Sequence, residues 1–393
     1  MGEGTEMGLT SSQMAWIDGG YLTAYAIGQF FWGMCGDRFG TRKIILTGML
    51  GSIVAGFAMG VSTIVLVFGV FFILQGVCQS TGWAPLSKNF GQFFSQRERG
   101  STMGLWCTNY AIGGFIASAF AGYCGERWGY QYAFFGPAAA LFVIWILFIL
   151  FQRNKPEDFG LPPIEEYHGE PELLIDEDDR PEEEADGSWK VIKEVLVNPM
   201  ILRLGAVYFF LKPTRYAILF WGPVYIAEKL STGMQVSGTL NGLFEFAGPM
   251  SVLLAGVVSD RVFGSKRMPV AVICLFALAI LLLVMNHVPA TSVAIGTCFF
   301  LVGFLLFAPD SLISGTAAID FGTKKGASTA AGFINGCGSV GAIVGGTLPG
   351  FIKDSYGWGA VFMVLSGSLI MAGLLLVPKW NEMPPVAEPA NAN

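Results

Sequence analysis

Two basic residues stand three positions apart within an otherwise apolar run, in Lys212-Pro213-Thr214-Arg215-Tyr216. Positions i and i+3 share a helix face, so a helix here presents both charges on one side. A third charge, Glu245, lies in the next apolar run, within Asn241-Gly242-Leu243-Phe244-Glu245-Phe246, and a fourth, Asp310, follows Pro309 further on. An ionisable side chain in the middle of an apolar span is costly to desolvate, which marks it by default as part of a ligand path. Two bases against Glu245 make a partly neutralised cationic pocket that suits a doubly charged anion such as phosphate. Arg215 adds a planar fork matched to phosphate oxygens, and Lys212 adds a compact point charge. The competing reading is a structural ion pair between Arg215 and Glu245 that locks two helices. Asp310 reads as a partner for Lys212 or a loop cation, as a gating residue, or as a carboxylate on a water-exposed pathway. Pro213 loosens the helix between the two bases or is a tolerated packing kink.

Before this charged segment the candidates are neutral: Tyr21, Tyr25, Gln29, Asn109 and Tyr110. Each can donate to a phosphate oxygen or meet a sugar hydroxyl, although hydrogen bonding between helices is the commoner use of such residues. Other chemistries find little support. The chain has two histidines, His168 and His287, and seven cysteines spread through apolar stretches without zinc-site spacing. No nucleophile–base set stands out, so neither an enzyme nor a bound cofactor or metal is expected. The glycine-rich run Gly332–Gly346 lacks the Lys-Ser/Thr pair of a phosphate loop and reads as close helix packing that permits rocking.

The elements that must position these residues are membrane spans. Of 393 residues, 53% are hydrophobic and 13% charged, against about 25% charged in soluble domains. A crossing helix needs about 20 mostly apolar residues. That ruler gives eleven candidates, at 17–36, 44–62, 64–85, 101–124, 131–151, 200–226, 236–258, 268–286, 291–316, 327–350 and 358–378. The units are an N-terminal half (1–151), a linker (152–199), a C-terminal half (200–378) and a tail (379–393). Between Glu165 and Asp186 twelve carboxylates face one base, Arg180, so a chain of net charge −6 carries +5 outside that stretch. Such a run reads as a solvated tether, and the charge balance gives no reason to expect nucleic acid. Alternate loops hold ten Lys or Arg (38, 42, 43, 97, 99, 261, 266, 267, 324, 325) against three (127, 229, 353), which places the first set, the linker and the C-terminus in the cytoplasm.

An internal repeat orders the spans. Gly36-Asp37-Arg38-Phe39-Gly40-Thr41-Arg42-Lys43 follows the first, and Ser259-Asp260-Arg261-Val262-Phe263-Gly264-Ser265-Lys266-Arg267 follows the seventh. The loop thus follows one span in the first half and two in the second, so the first half is expected to lack its opening helix, either because the start codon lies upstream of Met1, the favoured reading, or through a natural truncation. Asp37, Arg38, Arg42, Glu98, Arg99, Asp260 and Arg261 read as gate and loop charges that pair across the cytoplasmic faces of the halves.

These loops resemble the loop motif of the major facilitator superfamily. A narrower likeness rests on Tyr21–Gly28, Gln75–Trp83, Ser95–Gly100 and Gly160-Leu-Pro-Pro-Ile-Glu-Glu-Tyr167, which are similar to the organophosphate:phosphate antiporter family. That resemblance implies an all-α integral membrane fold of two pseudo-symmetric halves, here with eleven of twelve spans. It also implies exchange of an organic phosphate, such as glycerol-3-phosphate or a sugar phosphate, for inorganic phosphate by alternating access. On the same resemblance Arg215 matches the family's phosphate-binding arginine of that helix, and Glu245 its membrane-buried glutamate. Gln29 stands where bacterial relatives commonly place a lysine, and Tyr110 where they place a histidine. The helix that carries the family's other phosphate-binding arginine is the absent one. The expected site is therefore Arg215, Lys212, Glu245, Gln29, Tyr110, Asn109 and Tyr25, in a monomer in a bacterial plasma (inner) membrane, with the lipid bilayer and the two phosphates as its only partners. Two other functions stay open: a sugar-phosphate sensor that signals to a membrane kinase, and a proton-coupled carboxylate carrier.

Overall fold

The computed structural model describes residues 11–169 and 186–383, in which every regular element is helical. Most of the acidic run, the first ten residues, the tail from 384 and the side chain of Tyr110 lie outside the described residues. The first half comprises α1 (Ser11–Phe39), α2 (Thr41–Val61), α3 (Val65–Gln79), α4 (Trp83–Phe93), α5 (Gln96–Trp128) and α6 (Tyr132–Phe151). After the linker helices α7 (Ile164–His168) and α8 (Asp186–Val197) come α9 (Pro199–Leu230), α10 (Met234–Arg261), α11 (Met268–Val284), α12 (Ser292–Ser311) and α13 (Ala318–Leu376).

Local chemistry sets the boundaries. Gly40, at φ 87°, takes the left-handed turn between α1 and α2 that few other residues adopt, and Gly264, at φ 59°, does so in the repeated loop. Ser95 starts α5 with a capping box closed by Glu98. Asn198 caps α9 by accepting from the amides of Met200 (2.8 Å) and Ile201 (3.4 Å), with Pro199 as the first helical residue.

Among the described residues, seven helical stretches are long and apolar enough to cross a membrane, and α8 with α9, bent by 62°, makes an eighth. The spans expected in α1 and α5 are long enough, at 29 and 33 residues, but are not among these. Residues such as Asp18 and Gln29 in α1, and Glu98 and Asn109 in α5, lower their apolar content. The spans expected at 327–350 and 358–378 both fall in α13. A straight helix of its 59 residues would measure about 88 Å, yet Phe209 abuts Gly341 and the Phe210 carbonyl accepts from Ser368 Oγ at 2.7 Å. The chain therefore doubles back, at Gly357 with φ 76°, just as Gly129 with φ 103° turns α5 into α6. In the linker, α8 buries Ile192 and Val195, and its Trp189 stacks under Arg38 at 4.7 Å.

The main core lies in the second half, where α9 packs on α13. Its glycines at 338, 341 and 345 leave room for Tyr208 and for the backbone of Phe209 and Pro213. The two halves meet at the basic-loop end. There Gly33 abuts Gly332, Gly104 meets Val252, and Gly256 meets Gly100. Toward the other end, Gly113, Gly114 and Gly122 on α5, and Gly238 and Gly242 on α10, have no neighbour within 4 Å of an added Cβ. On α10, positions 256, 252, 249, 245, 242 and 238 follow helical spacing along one face, so the halves touch at one end of that face and part at the other.

Candidate substrate-binding site

Lys212 and Arg215 lie midway along α9 with only 12% and 10% of their side chains exposed. Such charges need partners, and the structure supplies one carboxylate for both. Arg215 Nη1 donates to Asp310 Oδ2 at 2.7 Å, Lys212 Nζ stands 3.3 Å from Oδ1, and the Tyr208 hydroxyl donates to Oδ1 at 2.9 Å. Aromatic faces flank the bases: Lys212 Nζ lies 4.9 Å from the Tyr208 ring centre, and the Arg215 guanidinium lies 4.7 Å from that of Phe307.

This cluster walls a cavity of about 90 Å³, narrower than the 300–1,000 Å³ of sites that enclose a drug-sized ligand. The second half contributes Lys212, Arg215, Asp310, Ser314 and Asn335, and the first contributes Tyr25, Trp83 and Cys107. All the charge in the wall thus comes from one half. Two bases against one acid leave one positive charge, enough to draw an anion once its own hydration is lost. Directly after Asp310, residues Leu312–Ala317 form a π-helical segment, a geometry that frequently marks functional sites. Trp83 Nε1 crosses from the first half to donate to the Ser314 carbonyl in that segment at 3.0 Å, and Gly315 packs against Met103 of α5.

Arg215, Lys212 and Tyr25 stand together as expected. The ion pair of Arg215, however, is with Asp310 on α12; Glu245 is half-buried on the face of α10 that looks toward the first half, and does not line the cavity. Gln29 is buried where its backbone crosses Gly332 of α13, and it is not in the cavity wall. Asn109 is exposed, because that part of α5 lies beyond the region where the halves meet. Sequence reasoning missed Trp83 and Asn335 as wall residues, and it left Asp310 among several roles. Its position in the middle of an apolar span was the available signal.

At the basic-loop end, Asp37 pairs with Lys88 at 2.8 Å and accepts from the amides of Ser328 (3.3 Å) and Thr329 (2.6 Å) across the seam. In the repeat, Asp260 accepts from the Ser101 amide at 2.7 Å. Asp320, from α13, holds both Arg99 (2.5 Å) and Arg267 (2.9 Å), and Arg267 also pairs with Asp260. Asp37, Arg99 and Asp260 thus bind across the halves. Arg38 and Arg42 do not: Arg38 stacks on Trp189, and Arg42 donates to the Ile149 carbonyl at 2.5 Å within its own half. Arg261 is exposed, and Glu98 caps its own helix and stands 3.6 Å from His168 Nε2 of the linker. Arg267 and Asp320, absent from the expected gate, are buried nearly as fully as Arg99.

The sequence model described as "Major Facilitator Superfamily" matches residues 3–345. The chain is 29% identical to the glycerol-3-phosphate transporter of Bacillus subtilis, over 96% of this chain and 86% of that one. It is 30% identical to the glucose-6-phosphate exchanger SLC37A2 of Bos taurus, over 92% and 79%. It is also 30% identical to the membrane sensor protein UhpC of Escherichia coli, over 93% and 82%. Among solved structures, the proton:xylose symporter XylE superposes with a TM-score of 0.70 at 12% identity, covering 97% of this chain and 89% of that one. The chain is an integral membrane protein of a transporter fold, and it belongs to the major facilitator superfamily and, within it, to the organophosphate:phosphate antiporter family.

Proposed function

We propose that the protein exchanges an organic phosphate, glycerol-3-phosphate or a sugar phosphate, for inorganic phosphate by alternating access. The observation that carries this reading is the pair of buried bases, Lys212 and Arg215, facing a cavity between two halves that touch at one end only. Arg215 is the principal anion ligand, Lys212 the second cation, and Tyr25 a hydrogen-bonding wall on the opposite half. Glu245 acts at a distance by lowering the positive potential on the cleft, so that bound phosphate can leave again. The basic loops and the C-terminus face the cytoplasm of a plasma (inner) membrane, and one copy suffices. The named substrates of the Bacillus and Bos relatives support the chemical class.

Labelled phosphate exchange by the purified protein in liposomes tests this. Arg215→Lys keeps the charge but loses the fork, so phosphate affinity should fall by at least tenfold. Parent-like binding by that variant would place the site elsewhere and leave Arg215 a structural residue. A sensor is the second reading, favoured by the likeness to UhpC. It requires phosphate-ester binding without exchange.

A further inference from the structure

The cavity is not waiting with bare cations: a carboxylate from the protein itself stands where an anionic oxygen of a ligand would bind. We infer that Asp310 is a resident counter-anion, displaced from Lys212 and Arg215 by the entering phosphate, and that its release is transmitted through the adjacent π-helical segment to the Trp83 contact between the halves. The inference rests on the phosphate-binding reading given above and concerns what the site does when empty.

Three observations carry it. Asp310 engages Arg215 at 2.7 Å, Lys212 at 3.3 Å and the Tyr208 hydroxyl at 2.9 Å, so one carboxylate occupies both bases at once. A phosphate cannot take the same donors while it stays. Second, Asp310 sits at the end of α12, immediately before the π-helical residues Leu312–Ala317, and its own carbonyl accepts from Ser314 Oγ at 2.7 Å. A π turn holds an extra residue in the helix, and its relaxation moves the residues beside it without breaking the span. Third, the first half grips this same segment, through Trp83 Nε1 on the Ser314 carbonyl at 3.0 Å and Met103 against Gly315. Asp310, the π turn and Trp83 form one continuous path from the bases to the seam. An empty site is thereby held with its halves joined, whereas an occupied one frees Asp310 and loosens the joint.

The test titrates inorganic phosphate into the purified full chain in lipid nanodiscs and follows backbone hydrogen exchange at residues 312–317. Asp310→Asn keeps shape but removes the competing charge. It should bind phosphate at least tenfold more tightly than the parent, and its 312–317 amides should exchange rapidly even without phosphate. In the parent, phosphate should speed exchange at those amides. Tyr208→Phe, which removes one tether of the carboxylate, should shift affinity the same way by about two- to threefold, and it decides the matter if Asp310→Asn does not fold. A folded Asp310→Asn with unchanged or weaker binding, or a 312–317 segment indifferent to phosphate in the parent, overturns the inference and makes Asp310 a fixed scaffold for Arg215. Absence of phosphate binding in both parent and Asp310→Asn would instead defeat the phosphate reading itself.

Discussion

The two halves share a loop motif and a glycine turn yet differ in how they are filled. In the second half, α9 lies on the glycines of α13, and one core runs from Val195 to Leu376. In the first half, Gly113, Gly114 and Gly122 of α5 face open space, and Phe142, Val143, Ile144 and Leu147 of α6 are exposed. The charged cluster belongs to the packed half. A desolvated ion pair is tolerable only where its partners are fixed, and α9 and α12 are fixed by that core. The other half brings Tyr25, Trp83 and Cys107 to the same cavity, neutral groups that part at little desolvation cost. The wall is thereby divided: the packed half holds the charge, and the other supplies neutral groups.

The joint between the halves offers the severest test. Asp320→Asn strips the shared partner from Arg99 and Arg267, and leaving buried charge unpaired costs about 3–5 kcal/mol. Thermal unfolding in detergent should show the largest loss of this series. Next comes the seat of α9: an alanine at Gly341 collides with the Phe209 carbonyl, so Gly341→Ala should destabilise by about 1–3 kcal/mol. Gly113→Ala, the same change on the open half, should stay within about 0.5 kcal/mol. Equal losses at Gly341 and Gly113 would mean that the first half is packed after all. The smallest effect is expected at the open end, where Glu228 holds Lys353 at 2.6 Å and Trp358 Nε1 at 2.8 Å. Those hydrogen bonds keep the Glu228 carboxyl below its ordinary value of 4.5 and raise the Lys353 ammonium above 10.5. A depressed acid contributes above its unfolded value and fades as pH falls through the folded one; a raised base contributes below its unfolded value and fades as pH rises through the folded one. The contact should therefore be intact between about pH 5 and 10. Because Glu228 is exposed and Lys353 is only partly covered, water screens the pair, and Lys353→Met should barely alter unfolding across that window.

Local spacing made much of this legible. Lys212 and Arg215 are one helical turn apart, so their common face follows from the chain alone, as does the Asp-Arg-glycine loop at residues 37–40 and 260–264. Partner choice did not follow. Arg215 and Asp310 are 95 positions apart, and whether the arginine meets Asp310 or Glu245 depends on how α10 and α12 pack, which no spacing encodes. Asn109 and Gln29 had suitable chemistry, but neither is in the cavity wall: Asn109 is exposed further along α5, and Gln29 is buried where α1 crosses α13. The apolar-length ruler did find the spans in α1 and α5, which supply Tyr25 and Cys107 to the site, although polar groups such as Asp18 and Gln29 thin their apolar character.

Cys107 gives the cavity a reporter of its own. Its thiol lines the wall beside the bases, while Cys35 and Cys124 are buried elsewhere in the first half. Cys78, Cys274, Cys298 and Cys337 are half-buried like Cys107, and an alkylating reagent attacks the thiolate, which an apolar wall disfavours. Cys107 therefore becomes a reporter only once those four thiols are replaced by serine. In that background, slower modification of Cys107 in the presence of phosphate would mark the space beside the bases as the space a ligand fills.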